Sequence, residues 1–516
     1  MVQPSPAPPR APAVLCLSDL LLSAVGRHSH KIALTDGDKS VTYAELDDAS
    51  DALAAHLASR GVQRSDPIAL HLRNCIEYVI ADLAILKLCA IKVPLNELMA
   101  PDELAYCLDH AGVRVLIRHP SLSRASATPA TLQITIDAPE RSEETPVCET
   151  WRNAMSPQRE FVRERPRPED IALVAYTGGT TGKAKGVVHV QSTLAVNLLA
   201  HVVCGDIRSD ETMLLTTPLP HSAGYHLQAC LLQGGRCVIA QKFEPESFVR
   251  TAVAFGATWT FAVPTMIYRL LDHLRETATR IPSLRTFIYG AAPMSLERLE
   301  EAIAALGPIF LQIYGQTECP NFISTLGKDD HLDRSLLTSC GRPVPFLTTT
   351  ICTEDGVALP SGEVGEIRVR SPYNLVAYYR NETATADALV DGALKTGDLA
   401  VQDERGYIFL VDRAKDMIIT GGMNVYSVEV ERVLRTYPSI KDAAVVGIPD
   451  PDWGERVVAV ITTQSAYDND GLKAFLRQRL SAYKIPKSIV ETGAMPLTAY
   501  GKIDKKALRA SVADQT

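Results

Sequence analysis

The stretch Tyr176-Thr-Gly-Gly-Thr-Thr-Gly-Lys-Ala-Lys-Gly-Val-Val-His189 gathers glycines, hydroxyls and two lysines directly after the apolar run Ile171–Ala175. A strand, a loop of this kind and then a helix make a cradle for phosphate, because free backbone N–H groups point at the anion. The P-loop formula does not fit, since Lys183 is followed by Ala184 rather than Ser or Thr. Thr177, Thr180 and Thr181 set three hydroxyls beside Gly178, Gly179 and Gly182, so side chains can bind phosphate oxygens as well. A surface turn kept soluble by lysines is the competing reading. Glu318 in YGQTE and Asp398 in KTGDLA each place a carboxylate in a short polar, glycine-containing stretch. Taken singly, a Thr-Glu pair more often starts a helix, a Gly-Asp pair more often makes a turn, and Lys502 near the C-terminus would serve solubility.

The motifs together carry more than any one of them. YTGGTTGKAKGVVH resembles the signature loop of the adenylate-forming superfamily, which includes acyl- and aryl-CoA synthetases, adenylation domains of peptide synthetases and luciferases. The resemblance continues in that family's order through PLPHSAG (218–224), YGAAPMS (289–295), YGQTE (314–318), GEVGEI (362–367) and KTGDLA (395–400). It then runs through GYIFLVDRAKDMIITGGMNVYSVEVE (406–431) and YGKIDKKALR (500–509), covering nearly the whole chain. This implies two half-reactions. A carboxylate attacks the α-phosphate of ATP to give an acyl-adenylate and pyrophosphate, and a thiol then displaces AMP.

The resemblance also implies roles. Oxide is a poor leaving group, so the acid must be activated, and the protein must neutralise phosphate charge and align the attack. Thr177, Gly178, Gly179, Thr180, Thr181 and Lys185 fall where the family clamps the β- and γ-phosphates, and Glu318 matches its metal-binding glutamate. Gly290, Ala291 and Ala292, with Gln312, Tyr314, Gly315 and Thr317, fall among its adenine and α-phosphate contacts. A close-packed strand end is the alternative for the first three. Asp398 matches the carboxylate that accepts from both ribose hydroxyls, and Arg413 the arginine that steadies ribose and phosphate. Lys502 matches the catalytic lysine of adenylation, an ammonium that offsets charge on the bridging oxygen and the attacking carboxylate. Lys415 holds the hinge position, and Gly421 and Gly422 would face the pantetheine tunnel.

The acid itself would lie among His221, Ala223, Gly224, Val263, Gly315 and Cys319, with His221 in the family's gate-or-pocket position. No cationic partner is supplied by Cys319 or Asn321, and no aspartate opens the FAVPT segment to meet an amino acid's ammonium. A largely apolar pocket for an aryl or medium-chain aliphatic acid is expected. The acceptor implied is CoA, with a carrier-protein phosphopantetheine as the alternative; a chain that ends soon after Lys502 is expected to act on free CoA. A non-catalytic nucleotide sensor on the same fold is a third reading. ATP, Mg²⁺ and CoA are the cofactors expected.

Elements able to hold these groups are legible in outline. Helix-like and strand-like patterns alternate, which argues for α/β layers. A helix is predicted from Tyr43 to a C-cap at Gly61, a buried helix over Glu77–Ala90, and strands at Val113, Thr258 and Pro308. GYIFLV reads as a strand, and the charged Val411–Asp416 as a connection after it. Beyond it, Ser427 is expected to cap a helix, AAVVGIP and RVVAVIT to form strands, and GLKAFLRQRLSAYK to form one helix ended at Pro486. The expected organisation is a proline-rich flexible tail (1–16), a large multi-layered α/β domain for ATP and acid (17–411) and a small mobile α+β domain carrying Lys502 (412–516).

Composition sets outer bounds. The 516 residues are 46% hydrophobic and 22% charged, enough for several cores. A net charge of −8 gives no argument for a nucleic-acid surface. Eleven cysteines without paired spacing read as reduced thiols of a cytoplasmic protein. No apolar run reaches the roughly 20 residues that span a bilayer, and Asp19 interrupts the one that resembles a signal core.

Overall fold

Apolar, β-branched runs such as Trp259–Ala262 and Thr286–Gly290 are buried on both faces, as strands of a parallel sheet must be. The computed structural model describes residues 14–122, 125, 130–136, 148–156, 162–177, 184–414, 416–421, 423–451, 453–498 and 503–513. The tail up to residue 13 lies outside them. Cys16, assigned to the tail, is already buried where the Leu17–Arg27 helix begins.

Two large sheets build the first unit. In a nine-stranded sheet, Thr212–Leu215, Trp259–Ala262, Thr286–Gly290 and Phe310–Gln316 run parallel, in that order. Their carboxyl ends deliver Val263, Gly290 and the Tyr314–Gln316 segment to one edge, where ligands of such sheets bind. In an eight-stranded sheet, Ile171–Thr177 pairs antiparallel with Lys185–Val190, which at its other side pairs with Ala377–Tyr378. A helix was expected after the glycine-rich loop; the chain forms a strand there instead. Val187, Val188 and Val190 are β-branched, two of them buried in the sheet, and the helix Gln191–Cys204 starts only afterwards.

A five-stranded antiparallel sheet follows, in which Ala393–Gln402 pairs with Ile408–Arg413. The strand therefore runs two residues past GYIFLV into the segment read as a connection, because Asp412 and Arg413 still pair with Leu399 and Asp398.

From Ile418 onward a second five-stranded sheet and the helices Ser427–Arg435 and Asn469–Arg477 enclose a core of their own, around Val430, Leu434, Val445, Ala459, Leu472 and Leu476. Two expectations fail here. Ser427 is the first helical residue rather than the cap, and the helix predicted to reach Pro486 stops at Arg477. Leu480 closes the small core, and the chain then turns so that Lys484 meets Glu429 at 2.7 Å. Among the described residues, no helix is long and apolar enough to cross a membrane.

Candidate active site

The strands on either side of the glycine-rich stretch pair antiparallel. Thr177 pairs with Lys185, and Tyr176 with Gly186. Gly178, Gly179, Thr180 and Thr181 lie outside the described residues. Lys185 projects from the second strand with Nζ 4.9 Å from the centre of the Tyr378 ring, so its charge stands over an aromatic face.

Tyr378 connects this loop to the metal candidate. Its Oη donates to Glu318 Oε1 at 2.7 Å. Thr317 and Glu318 form the two-residue turn between Phe310–Gln316 and Cys319–Leu326, a tight hairpin with Gln316 opposite Cys319. The turn is held by its carbonyls. His189 Nε2 donates to Thr317 O at 2.8 Å, and Leu375 N donates to Glu318 O at 2.7 Å. His189 is fully buried, which pulls its imidazole down to about 4, so it is neutral. Among the described residues no hydrogen bond reaches the second oxygen of Glu318, a donor set that fits a hard cation bound mainly by phosphate. No group of three or more His, Cys, Asp and Glu side chains gathers at metal-binding range among the described residues.

Asp398, Tyr314 and Arg413 come together at the seam between sheets. Tyr314 Oη donates to Asp398 Oδ2 at 2.7 Å, and Arg413 Nε lies 3.1 Å from Oδ1. Register places the last two opposite each other across paired strands. Asp398 is buried while Arg413 is about half exposed, so the carboxylate is fixed from behind and the guanidinium faces out. Burial and the Asp398 charge push the Tyr314 phenol well above its usual range, leaving it a hydrogen-bond donor.

Gly290 ends its strand against a neighbour. A Cβ there would lie 2.5 Å from Ile313 O, so the close-packed reading applies to this residue whatever else it does. Ala291, exposed, takes φ +67°, and Ala292 is half-buried beside it. Gln312 lies within the Phe310–Gln316 strand, its Oε1 buried without a hydrogen-bond partner among the described residues.

The acid-pocket residues cluster around one short turn. His221, Ala223 and Gly224 sit where Leu219–Ala223 runs into the helix Gly224–Gln233, and Asn96 Nδ2 donates to His221 Nε2 at 2.7 Å. Ser222 Oγ donates to Asn321 Oδ1 at 2.6 Å, and Asn321 Nδ2 donates to His201 Nε2 at 2.8 Å. Gly315 allows this approach, since a Cβ would stand 2.6 Å from the Asn321 backbone. Val263 caps the Pro264–Thr277 helix, and Cys319 is a buried thiol pushed upward by burial. Ser222, Asn321 and His201 thus form a polar chain beside this turn.

In the smaller unit, Gly421 takes φ +55° and its N–H donates to Trp453 O at 2.8 Å. Gly422, Lys415 and Lys502 lie outside the described residues. Sequence reasoning missed Tyr378, His189 and Asp412, whose roles arise from contacts between distant segments. The only signal was His189 closing the quoted loop motif.

This geometry, with two sheets converging on a glycine-rich hairpin and a carboxylate–tyrosine–arginine cluster, defines a nucleotide-handling α/β protein. The AMP-binding enzyme pattern matches residues 21–379, and the AMP-binding enzyme C-terminal domain matches 429–502. The chain belongs to the AMP-binding enzyme family. It is 34% identical over 509 residues to the medium/long-chain-fatty-acid–CoA ligase FadD8 of Mycobacterium tuberculosis, covering 95% of this chain and 89% of that one. It is also 34% identical to feruloyl-CoA synthase of an Amycolatopsis species, covering 93% and 96%. Among solved structures, the amide bond synthetase McbA of Marinactinospora thermotolerans aligns with a TM-score of 0.86 at 31% identity, covering 96% and 99%.

Proposed function

We propose that this chain is an ATP-dependent acid–thiol ligase that adenylates an aryl or medium-chain carboxylic acid and passes the acyl group to CoA. The observation that carries this is the buried Asp398 carboxylate held between Tyr314 and Arg413, with Tyr314 on the strand that leads into the Thr317–Glu318 turn. A ribose diol needs such an acceptor, fixed in direction before the nucleotide arrives.

Each group then has work that suits its surroundings. The Thr177–Lys185 hairpin holds the phosphate tail, and Lys185 brings positive charge toward it. Glu318, oriented by Tyr378, would hold Mg²⁺, which neutralises phosphate charge when bound. Arg413 steadies the nucleotide from the open side of Asp398. Lys502 enters from the smaller unit to balance charge as the carboxylate attacks, and motion about Lys415 exchanges it for the Gly421–Gly422 segment that admits the thiol.

Support for CoA over a carrier protein comes from Trp453. It is about half exposed, lies against Gly421 and carries Lys487 Nζ 4.5 Å above its ring. A flat aromatic face with a cation beside it suits the adenine and phosphates of CoA.

Pyrophosphate exchange over a panel of aryl, fatty and short-chain acids tests the first step. AMP release with CoA, with a phosphopantetheinylated carrier protein and with an amine tests the second. Acid-dependent exchange followed by a CoA thioester is the expected result. Exchange with no acid would leave a nucleotide sensor, and amide formation instead of thioester would reassign the acceptor.

A further inference from the structure

The two ends of the glycine-rich stretch are held by a helix that lies outside every motif quoted above. Pro101 opens the Pro101–Ala111 helix, and Gly112, at φ +66°, ends it. Leu104, Cys107, Leu108 and Ala111 turn into the core, which leaves Tyr106 and His110 half-buried on a neighbouring flank. Four residues apart, these two lie one above the other on the helix. Their rings stack, with centroids 5.4 Å apart and planes 27° from parallel.

Each ring reaches one side of the stretch. Tyr106 Oη donates to Ala184 O at 3.2 Å, and His110 Nδ1 lies 2.8 Å from Tyr176 Oη. Burial pushes the Tyr176 phenol well above its usual range, so it keeps its proton and can serve either tautomer of the imidazole. Ala184 directly precedes Lys185, and Tyr176 directly precedes Thr177. Thr177 and Lys185 are the last pair of the ladder, and the Thr177 hydroxyl adds only a long 3.4 Å bond to Lys185 O. A terminal pair frays unless something outside the ladder supports it.

The chain closes on the same place from another direction. Tyr379 N donates to Gly186 O at 2.7 Å, and the Tyr379 ring meets His110 edge-on at 6.0 Å. Gly186 has no room for a side chain, since a Cβ would stand 2.8 Å from Val174 and 3.3 Å from Tyr379. Arg380 donates to His110 O at 3.1 Å and so ties the end of the helix to this strand. Tyr378, one residue earlier, faces the other way, toward Lys185 and Glu318.

We propose that Tyr106 and His110 are positioning residues for ATP, clasping both sides of the stretch so that Thr177 and Lys185 stand ready for the β- and γ-phosphates. This rests on the phosphate reading of that stretch given above. Neither ring touches a reacting atom; one acts through the Ala184 carbonyl and the other through the Tyr176 side chain. The consequence is selective. AMP lacks the two phosphates in question, so loosening the clasp weakens ATP and spares AMP. A residue that only stabilised the fold would weaken both alike.

The test is calorimetric titration of the full-length protein with ATP and with AMP, each with Mg²⁺. Tyr106→Phe deletes one hydroxyl and keeps the ring stack; it should weaken ATP about fivefold and leave AMP within about twofold. His110→Leu should do the same, and His110→Asn, which restores a polar atom near the Nδ1 position, should recover most of the ATP affinity. In pyrophosphate exchange the Tyr106→Phe loss should be read as a higher KM for ATP with that for the acid unchanged. Equal weakening of ATP and AMP overturns the proposal, as does full ATP affinity in Tyr106→Phe and His110→Leu. Should His110→Leu fail to fold, Tyr106→Phe decides alone. Lys185→Ala separates the two readings. If it weakens ATP while Tyr106→Phe does not, the clasp is wrong and the phosphate reading stands; if it leaves ATP unaffected, both fall.

Discussion

Asp412 belongs by its backbone to one unit and by its side chain to the other. It pairs with Leu399 in the strand Ile408–Arg413, yet both its carboxylate oxygens accept from Ser427, the backbone N–H on Oδ2 and the hydroxyl on Oδ1 at 3.1 Å. Lys505 Nζ donates to the same hydroxyl at 2.6 Å and pairs with Glu431 at 2.7 Å. The proposed hinge position, Lys415, falls between the two partners in sequence. A rotation there must break or strain this contact in one of the two domain arrangements. Asp412→Asn should therefore change adenylation and thioester formation unequally, by about fivefold or more in their ratio. Separate measurement of the two half-reactions decides it, and an equal change would show that Asp412 serves stability alone.

Lys502→Ala should depress adenylate formation by about 100-fold or more, while thioester formation from supplied acyl-adenylate survives. The comparison needs the adenylate in hand, so that the second step is read without the first. Equal loss in both would reassign the lysine.

Tyr378→Phe removes a single hydroxyl that orients Glu318. Supporting contacts of this kind are worth about 10–100-fold in metal affinity. The variant should need about tenfold more Mg²⁺ for half-maximal pyrophosphate exchange, with nearly unchanged rate at saturating Mg²⁺. An unaltered Mg²⁺ dependence would detach Glu318 from the metal.

Acid should weaken the fold before it titrates any surface carboxylate. Burial holds His189 and His201 down to about 4, against 6.5 for the free side chain. Between these values the unfolded chain binds more protons than the folded one, so stability rises with pH. The contribution is fully present above about 6.5 and is lost as pH falls toward 4, amounting to about 2 kcal/mol for each ring at pH 5. Urea unfolding at pH 7.5 and pH 5 measures it, and equal midpoints would mean that these rings are solvated.

The sequence made the order of motifs plain because each rests on residue types with few substitutes, such as Asp398 for a diol or the threonines around the loop. It also marked the small terminal unit by its own apolar periodicity, at Leu472 and Leu476. The strand after the loop was missed although Val187, Val188 and Val190 announced it, because the expected phosphate geometry called for a helix. Tyr378 and Asp412 were not legible for a different reason. Tyr378 acquires its role from a residue 60 positions away and Asp412 from one 15 positions away, and pairing across sheets leaves no local pattern. Ser427 had the right chemistry for a cap, but a buried carboxylate claimed its hydroxyl first.

The hairpin Ile171–Thr177 and Lys185–Val190 has one more consequence, for how such a protein changes over generations. Register between the strands is fixed by buried pairs such as Val174 with Val188. Residues gained or lost between Thr177 and Lys185 need not disturb that register. The paired strands therefore fix where the two ends of the segment stand whatever lies between them, and the constraint on its residues comes from the ligand alone.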